Sequence, residues 1–215
     1  MQRNFSFYSK NRRFELHTSS KEIKDILTAW IIISIAFAIV RASGTQSIFS
    51  ILLTSRFLTL IIISGFTVGL GFLLHEMAHK IVAQRYHCWA EFRADIRMLV
   101  LALIMSFFGF VFIAPGAVMI YGQINTRQNG IISMAGPLTN IILAIILIPL
   151  LFMNYSSSII TELISSGFLL NAWLGLFNMI PLWNFDGIKI YRWSKIAYFL
   201  MLVIAIILVL IFFMK

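Results

Sequence analysis

Long runs of apolar residues fill most of the chain, and short polar segments separate them. A helix needs about 20 residues to cross the ~30 Å hydrocarbon core of a bilayer, and most of these runs approach that length. In lipid, only helices and closed barrels satisfy the backbone, and the runs are too long for barrel strands. The pattern predicts an all-α polytopic membrane protein with helical spans at residues 26–40, 57–85, 131–153, 158–180 and 197–214.

A sixth apolar run, residues 98–120, is broken by Gly109, Pro115 and Gly116. Hydropathy alone favours a full span here, whereas the breaks suit a segment that enters the membrane and returns on the same side. Irregular backbone is tolerated at membrane depth where protein covers it or where it lines a wet cavity. The sequence therefore predicts five to six transmembrane helices, with a re-entrant, β-hairpin-like segment as the alternative to the sixth span.

The composition agrees with a membrane protein, since 60% of the 215 residues are hydrophobic, 12% are charged and the mean hydropathy is +0.92. Soluble domains are about 45–50% apolar and about 25% charged. The net charge of +9 comes from 17 Lys and Arg against 8 Asp and Glu. Because the basic residues flank apolar runs, they indicate membrane orientation and contact with anionic headgroups, not binding of nucleic acid. The single cysteine, Cys88, excludes an internal disulfide.

The chain divides into a basic arm and one membrane domain. Residues 1–25 carry six Lys and Arg and no evident cleavable signal, and the positive-inside rule places them in the cytoplasm. Residues 26–215 are expected to form a single integral-membrane domain, because the length leaves no room for a second folded unit.

The second span ends in the sequence HEMAH, which places two histidines and a carboxylate at membrane depth. An ionisable side chain in lipid costs about 3 to more than 10 kcal/mol, so a functional site is the default interpretation. Residues four apart share a helix face, so His75 and His79 can bind one metal ion together. Glu76 can reach a water on that metal, which gives two zinc ligands and a general base. Histidines that cap the helix or snorkel are the structural alternative.

A catalytic zinc usually has three protein ligands, so a third ligand is expected elsewhere. Asp186 lies in the sequence FDG directly after an apolar run, where it is either a ligand or part of a plain Asp-Gly turn. The other candidates lie too far along the helix, in the arm, near the opposite end of a span or in charged loops; they are His17, His87, Cys88, Glu91, Asp95 and Glu162.

Three motifs occur in order along the chain: HEMAH on one span, AGPLTN opening a later span, and NMIPLWNFDG closing the next. Together they resemble the site-2 protease family of intramembrane zinc proteases, and VFIAPGAVMIYG resembles an archaeal-type branch of that family. The resemblance implies that His75, His79 and Asp186 bind zinc and that Glu76 is the general base. It also points to Asn140 as a polar group facing the active centre. An asparagine that bonds a neighbouring helix backbone is the structural alternative.

The resemblance extends over residues 65–187 and implies a catalytic core at about 57–187. Asn178 and Pro181 match an Asn-x-x-Pro element before the Asp-Gly pair. Asn184 departs from the proline that family members often carry two residues before the aspartate. The chain is expected to lack a PDZ module and a C-terminal regulatory domain.

The implied activity is hydrolysis of peptide bonds inside the transmembrane segments of single-span membrane proteins. Zinc makes a nucleophilic water available near neutral pH, Glu76 accepts and returns its proton, and Asn140 is expected to donate to the oxyanion. The scissile segment must unwind, so substrates should carry Gly, Pro or Asn in the span. The alternative is a membrane metal-binding or metal-transport protein, although transport needs ligands along a path. The intact Glu76 argues against an inactive homologue.

Counting membrane crossings favours the re-entrant alternative. With the basic arm in the cytoplasm, the first span exits and the second returns, so HEMAH lies near the cytoplasmic face. A full span within residues 98–120 would carry Asp186 to the opposite side, away from the metal. A re-entrant segment removes this conflict and leaves only Arg41, Arg56 and Lys215 of the 17 basic residues outside.

The returning half of the re-entrant segment can offer a strand edge to the unwound substrate by strand addition. The expected substrate-binding strand consists of Ala117, Val118, Met119, Ile120 and Tyr121. The resemblance implies a prokaryotic cell membrane, and the sequence leaves the oligomeric state open.

Overall fold

The computed structural model of the chain describes residues 16–43, 54–111, 116–182 and 185–214. Its elements in chain order are α1 (Ser20–Ser43), α2 (Ser55–Arg85), β1 (Trp89–Ala94), α3 (Ile96–Ser106), β2 (Gly116–Tyr121), α4 (Thr126–Leu151), α5 (Ser158–Asn178), α6 (Asp186–Trp193) and α7 (Lys195–Phe213).

Helices long and apolar enough to cross a membrane confirm the predicted fold class. In the described part of the chain, five helices meet this condition, namely α1, α2, α4, α5 and α7. Large apolar side chains on α7, including Leu200, Val203 and Leu210, are more than half exposed, as expected of a surface that lipid covers. Helix α1 begins at Ser20, so its first turns extend into residues 1–25, the region predicted as an arm.

Helix α2 carries a π-helical turn at Gly65–Gly69, between its α-helical parts Ser55–Ser64 and Leu70–Arg85. The Trp30 indole N–H on α1 donates to the Gly65 carbonyl at 3.0 Å, next to this turn. Single π turns inside α-helices are frequent near functional sites. Here the turn immediately precedes the part of α2 that carries the HEMAH sequence.

The two strands form a small antiparallel sheet in which Ala94 lies opposite Gly116. The chain therefore leaves the sheet and re-enters it at neighbouring positions, which is the geometry of a re-entrant segment. Between them, α3 has 11 residues and a length of about 16 Å, roughly half of the bilayer core. Gly109, just after α3, has φ 87°, a left-handed conformation that favours glycine. In the described part of residues 98–120, the chain forms most of α3 and β2, and no helix there is long enough to cross a membrane.

Two apolar clusters flank α2. Helices α4, α5, α6 and α7 pack around the fully buried Phe168, Met179 and Ile190. Helices α1, α2 and α3 pack with the sheet around Phe92 and Leu99, which are also fully buried. Because α2 contacts α4 on one side and α1 and β1 on the other, it joins the two halves of the molecule.

Candidate metal centre

The three side chains predicted as zinc ligands come together in the structure. The Nε2 atoms of His75 and His79 lie 3.0 Å apart. Asp186 Oδ2 lies 3.4 Å from His75 Nε2 and 3.0 Å from His79 Nε2. Ligand atoms at about 2.0–2.1 Å from a tetrahedral zinc lie about 3.3 Å from one another, so these three atoms fit around one such ion. Within the described residues, they form a cluster that could hold a metal ion.

Each histidine presents Nε2 to the metal position because an oxygen holds its Nδ1. His79 Nδ1 lies 2.7 Å from the carbonyl oxygen of Ile132, and His75 Nδ1 lies 2.6 Å from Asn140 Oδ1. A carbonyl oxygen can only accept, so the proton of each neutral ring resides on Nδ1 and the Nε2 lone pair is available. Partners of this kind orient a metal-binding imidazole and raise its basicity.

Asn140 holds His75 and does not line the cavity described below. It is fully buried, and its amide group donates to Gly71 O at 3.1 Å and to Asn171 Oδ1 at 2.9 Å. Both amide hydrogens are therefore used. In this structure neither amide hydrogen points into the cavity, and the oxyanion role expected of Asn140 stays a prediction. The bond to Gly71 agrees with the structural alternative for Asn140, an asparagine that bonds the backbone of a neighbouring helix.

Asp186 is the first residue of α6, and its two oxygens face different partners. Oδ2 faces the histidines, whereas Oδ1 lies 3.7 Å from Lys189 Nζ. Burial raises the pKa of Asp186, but the neighbouring His79 and His75 lower it by more, so the carboxylate is ionised at neutral pH. An ionised oxygen is what a metal ligand requires, and this geometry favours a ligand over a plain turn. Asn184, which stands where members of the resembling family often carry proline, lies outside the described residues.

Glu76 opens onto a cavity of about 900 Å³ that it lines together with the two histidines and Asp186. Its Oε2 accepts a hydrogen bond from the Val118 N–H at 3.2 Å. Much of the remaining wall is apolar, as is usual for pockets that take large ligands. The apolar lining includes Phe37, Phe72, Leu170, Trp173, Leu174 and Phe177.

The strand expected to bind substrate is present as β2 and borders this cavity. Ala117, Val118, Met119 and Ile120 line it. Tyr121 packs against Trp89 instead, with ring centroids 5.1 Å apart. The strand thus lies beside Glu76, and its role in binding stays a prediction.

Gly136 in α4 is a site residue that the sequence analysis missed. A Cβ atom built there would lie less than 3.0 Å from the Nε2 atoms of both His75 and His79. The absent side chain therefore leaves space at the metal position. The only signal in the sequence was its place in AGPLTN, where glycine and proline interrupt an apolar helix.

The other sequence candidates have structural roles away from the cluster. Glu91 was predicted in a loop but lies in β1, opposite Met119 of β2, and Arg93 and Ser19 bond its side chain. Burial raises the pKa of Glu91, yet these two hydrogen bonds lower it overall. Asp95 caps the start of α3 by accepting from the N–H of Arg97. The remaining described candidates, also outside the metal cluster, are His17, His87, Cys88 and Glu162.

The fold and the cluster define a class, a polytopic helical membrane protein with a buried His-His-Asp metal centre. Over 135 residues the sequence is 44% identical to a protein of Methanocaldococcus jannaschii named "Putative zinc metalloprotease", and the aligned part covers 62% of this chain and 71% of that protein. The chain belongs to the same protein family as this relative. No protein-family model matches the chain, and no solved structure matches it.

Proposed function

We propose that the protein is an intramembrane zinc metalloprotease of the site-2 type, which hydrolyses peptide bonds within the transmembrane segments of single-span membrane proteins. The observation that carries this proposal is the cluster of His75, His79 and Asp186 beside Glu76 on a membrane-spanning helix. The name of the archaeal relative supports the zinc and the protease chemistry. The HEMAH, AGPLTN and NMIPLWNFDG motifs support the assignment to site-2 proteases.

The roles of the residues follow from their positions. Zinc, when bound, acidifies a water molecule and polarises a peptide carbonyl. Glu76 accepts the proton of the attacking water and passes it to the leaving nitrogen. Asn140 keeps His75 in its metal-binding orientation. Ile132 does the same for His79 through its backbone carbonyl.

The substrate is a segment that has left its helical form. A helix hides its carbonyls in hydrogen bonds, so Gly, Pro or Asn near the scissile bond would favour cleavage. The apolar wall of the cavity suits the side chains of a transmembrane segment. β2 would then receive the extended segment by strand addition on the edge that faces Glu76.

The orientation proposed for the protein places its N-terminus in the cytoplasm and the metal centre near the cytoplasmic face of a prokaryotic cell membrane. The support is the positive-inside rule together with the re-entrant segment. The basic residues on that side would contact anionic lipid headgroups, and no nucleic acid is required.

A metal-transport protein remains the second candidate, because it would use the same residue types. Transport needs metal ligands at several positions along a path. In the described residues, the side chains that could hold a metal form one cluster, whose ligand atoms all lie within 4.8 Å of one another. The two candidates differ in a direct experiment. Purified protein in lipid vesicles should cleave a single-span peptide, lose activity when a chelator strips zinc and regain it on zinc addition. Zinc flux into the vesicles without cleavage would contradict the protease proposal and favour transport.

A further inference from the structure

A salt bridge between Glu22 and Lys80 lies in the interior and takes no part in the metal centre. Glu22 is 0% exposed and Lys80 is 1% exposed, and Lys80 Nζ lies 2.6 Å from Glu22 Oε2. Lys80 Nζ also donates to Thr18 Oγ1 at 2.7 Å. Two charges lose a large hydration free energy when they are buried, so such a pair is weak evidence for stability and calls for another role. Lys80 directly follows His79, so it connects the metal helix to the start of α1.

The second oxygen of Glu22 binds the sheet. Glu22 Oε1 accepts a hydrogen bond from the Phe92 N–H of β1 at 2.9 Å. Ala90, two residues before Phe92 in β1, accepts a hydrogen bond at its carbonyl from the Gln84 side chain at 2.9 Å. The same Gln84 side chain accepts from the N–H of His17 and donates to its carbonyl. Side chains from α1 and α2 thus occupy the outer edge of β1, the edge away from β2.

The residue that Phe92 faces across the sheet contacts Glu76, the proposed general base. Phe92 lies opposite Val118 in the sheet, and the Val118 N–H donates to Glu76 Oε2 at 3.2 Å. One pair of residues is therefore held between Glu22 on one edge and Glu76 on the other. Since both N–H groups point outward, this is a non-hydrogen-bonded pair, and the alternation of an antiparallel ladder points the Ile120 backbone groups outward as well.

We propose that Glu22, whose buried carboxylate pairs with Lys80, is a positioning residue that closes the edge of β1 and fixes the sheet, so that a substrate segment can add only to the β2 edge beside Glu76. This inference rests on the proposed function. An unpaired strand edge accepts any passing strand, so closing one edge leaves a single direction for addition.

Two double variants separate the hydrogen-bond acceptor from the buried charges. Glu22→Gln with Lys80→Met keeps a side-chain oxygen for the Phe92 N–H, and Glu22→Leu with Lys80→Met removes it. Neither variant leaves an unpaired buried charge, which would itself threaten folding. Glu162→Gln is the matched control, because it breaks the Arg41–Glu162 pair between α1 and α5, away from the sheet.

The measurements are zinc content, hydrogen exchange of residues 89–94 and 116–121, and the kinetics of cleavage of a single-span peptide. The Leu/Met variant should keep one zinc per chain, exchange both segments at least about tenfold faster, and raise KM about tenfold or more while kcat changes less than about threefold. The Gln/Met variant and the control should match the wild type in all three.

Unchanged exchange and KM in the Leu/Met variant would overturn the inference. A loss of zinc, or a fall in kcat alone, would overturn it too, because the effect would then lie on the metal helix. If the wild type fails to cleave the peptide, the proposed function fails. The exchange comparison still decides whether the side-chain oxygen of Glu22 positions the sheet.

Discussion

At the residue scale, the metal centre depends on the groups that surround its ligands. Asn140 and Ile132 orient the two imidazoles, and Gly136 leaves the space into which their Nε2 atoms point. Glu76 is bonded by the Val118 amide and contributes no ligand atom to the cluster. Binding of the metal and proton transfer are therefore carried by different side chains, which can be tested separately.

Replacing Glu76 by Gln should separate the two roles. Glu76→Gln should lower kcat/KM by about 10²–10⁴-fold, because the proton acceptor is lost, and it should keep one zinc per chain. Asp186→Ala should lose zinc and activity together, since it removes a ligand. Metal analysis of the purified variants checks both, and full zinc occupancy in Asp186→Ala would rule out its role as a ligand.

Adding a single methyl group at Gly136 should weaken metal binding. In Gly136→Ala the new Cβ would meet both Nε2 atoms, so the rings must turn, and zinc affinity should fall about tenfold or more. Gly167→Ala is the control, because its Cβ would meet the flexible end of Leu147 at 3.3 Å. Competition with a zinc-binding dye measures both, and wild-type affinity in Gly136→Ala would contradict the steric argument.

The ligands were more accessible to sequence reasoning than the groups that hold them. His75 and His79 share a face by helical spacing alone, whatever packs on the helix. The roles of Asn140 and Gly136 depend on how α4 lies against α2, which no local pattern encodes. The bonds from the Asn140 amide to Gly71 and Asn171 could not be predicted from the sequence for the same reason, because they depend on how the helices pack.

At the element scale, the short helix α3 and the two-stranded sheet lie where hydropathy favoured a sixth span, and we propose that this segment re-enters the membrane. The charge distribution and the breaks near Gly109 and Gly116 predicted it, although hydropathy favoured a full span. The partner strand β1 was not predicted, since its sequence WAEFRA resembles a charged loop. Its Glu91 is bonded by Ser19, 72 residues away, and contacts across such a distance have no local signature.

Cysteine labelling with a membrane-impermeant reagent tests the predicted crossings. In a Cys88→Ser background, Arg127→Cys and Arg192→Cys should label only from the cytoplasmic side, because β2 returns to that side before α4 begins. Arg56→Cys should label only from outside and serves as the opposite-side control. All three native side chains are exposed. Labelling of Arg127→Cys from outside together with Arg192→Cys from inside would disprove the re-entrant segment.

At the scale of the whole molecule, the metal centre joins two packing units. His75 and His79 lie on α2, which packs with α1 and the sheet, whereas Asp186 lies on α6 within the other apolar cluster. A bound ion would therefore connect the two clusters across the cavity. Binding to the folded state alone stabilises that state by RT ln(1 + [L]/Kd), where [L] is the free concentration of the ion.

Zinc should accordingly raise the thermal stability of the purified protein. At a free zinc concentration of 100 times Kd, the gain is about 2.7 kcal/mol. Glu76→Gln should show the same rise in Tm as the wild type, because its ligands are intact, and Asp186→Ala should show little or none. A Tm independent of zinc in the wild type would mean that the folded protein binds zinc no more tightly than the unfolded chain, which would contradict a preformed His-His-Asp site.

The most direct test of the account is to map the bond that the protein cuts. Zinc-loaded protein in lipid vesicles would be incubated with a single-span peptide that carries Gly or Pro in its membrane segment, and the products would be identified by mass spectrometry. The account predicts one cut inside the membrane segment, near its cytoplasmic end, that is absent with Glu76→Gln and weaker when the Gly or Pro is replaced by Leu. A cut in an extramembrane loop that is insensitive to that replacement would contradict it.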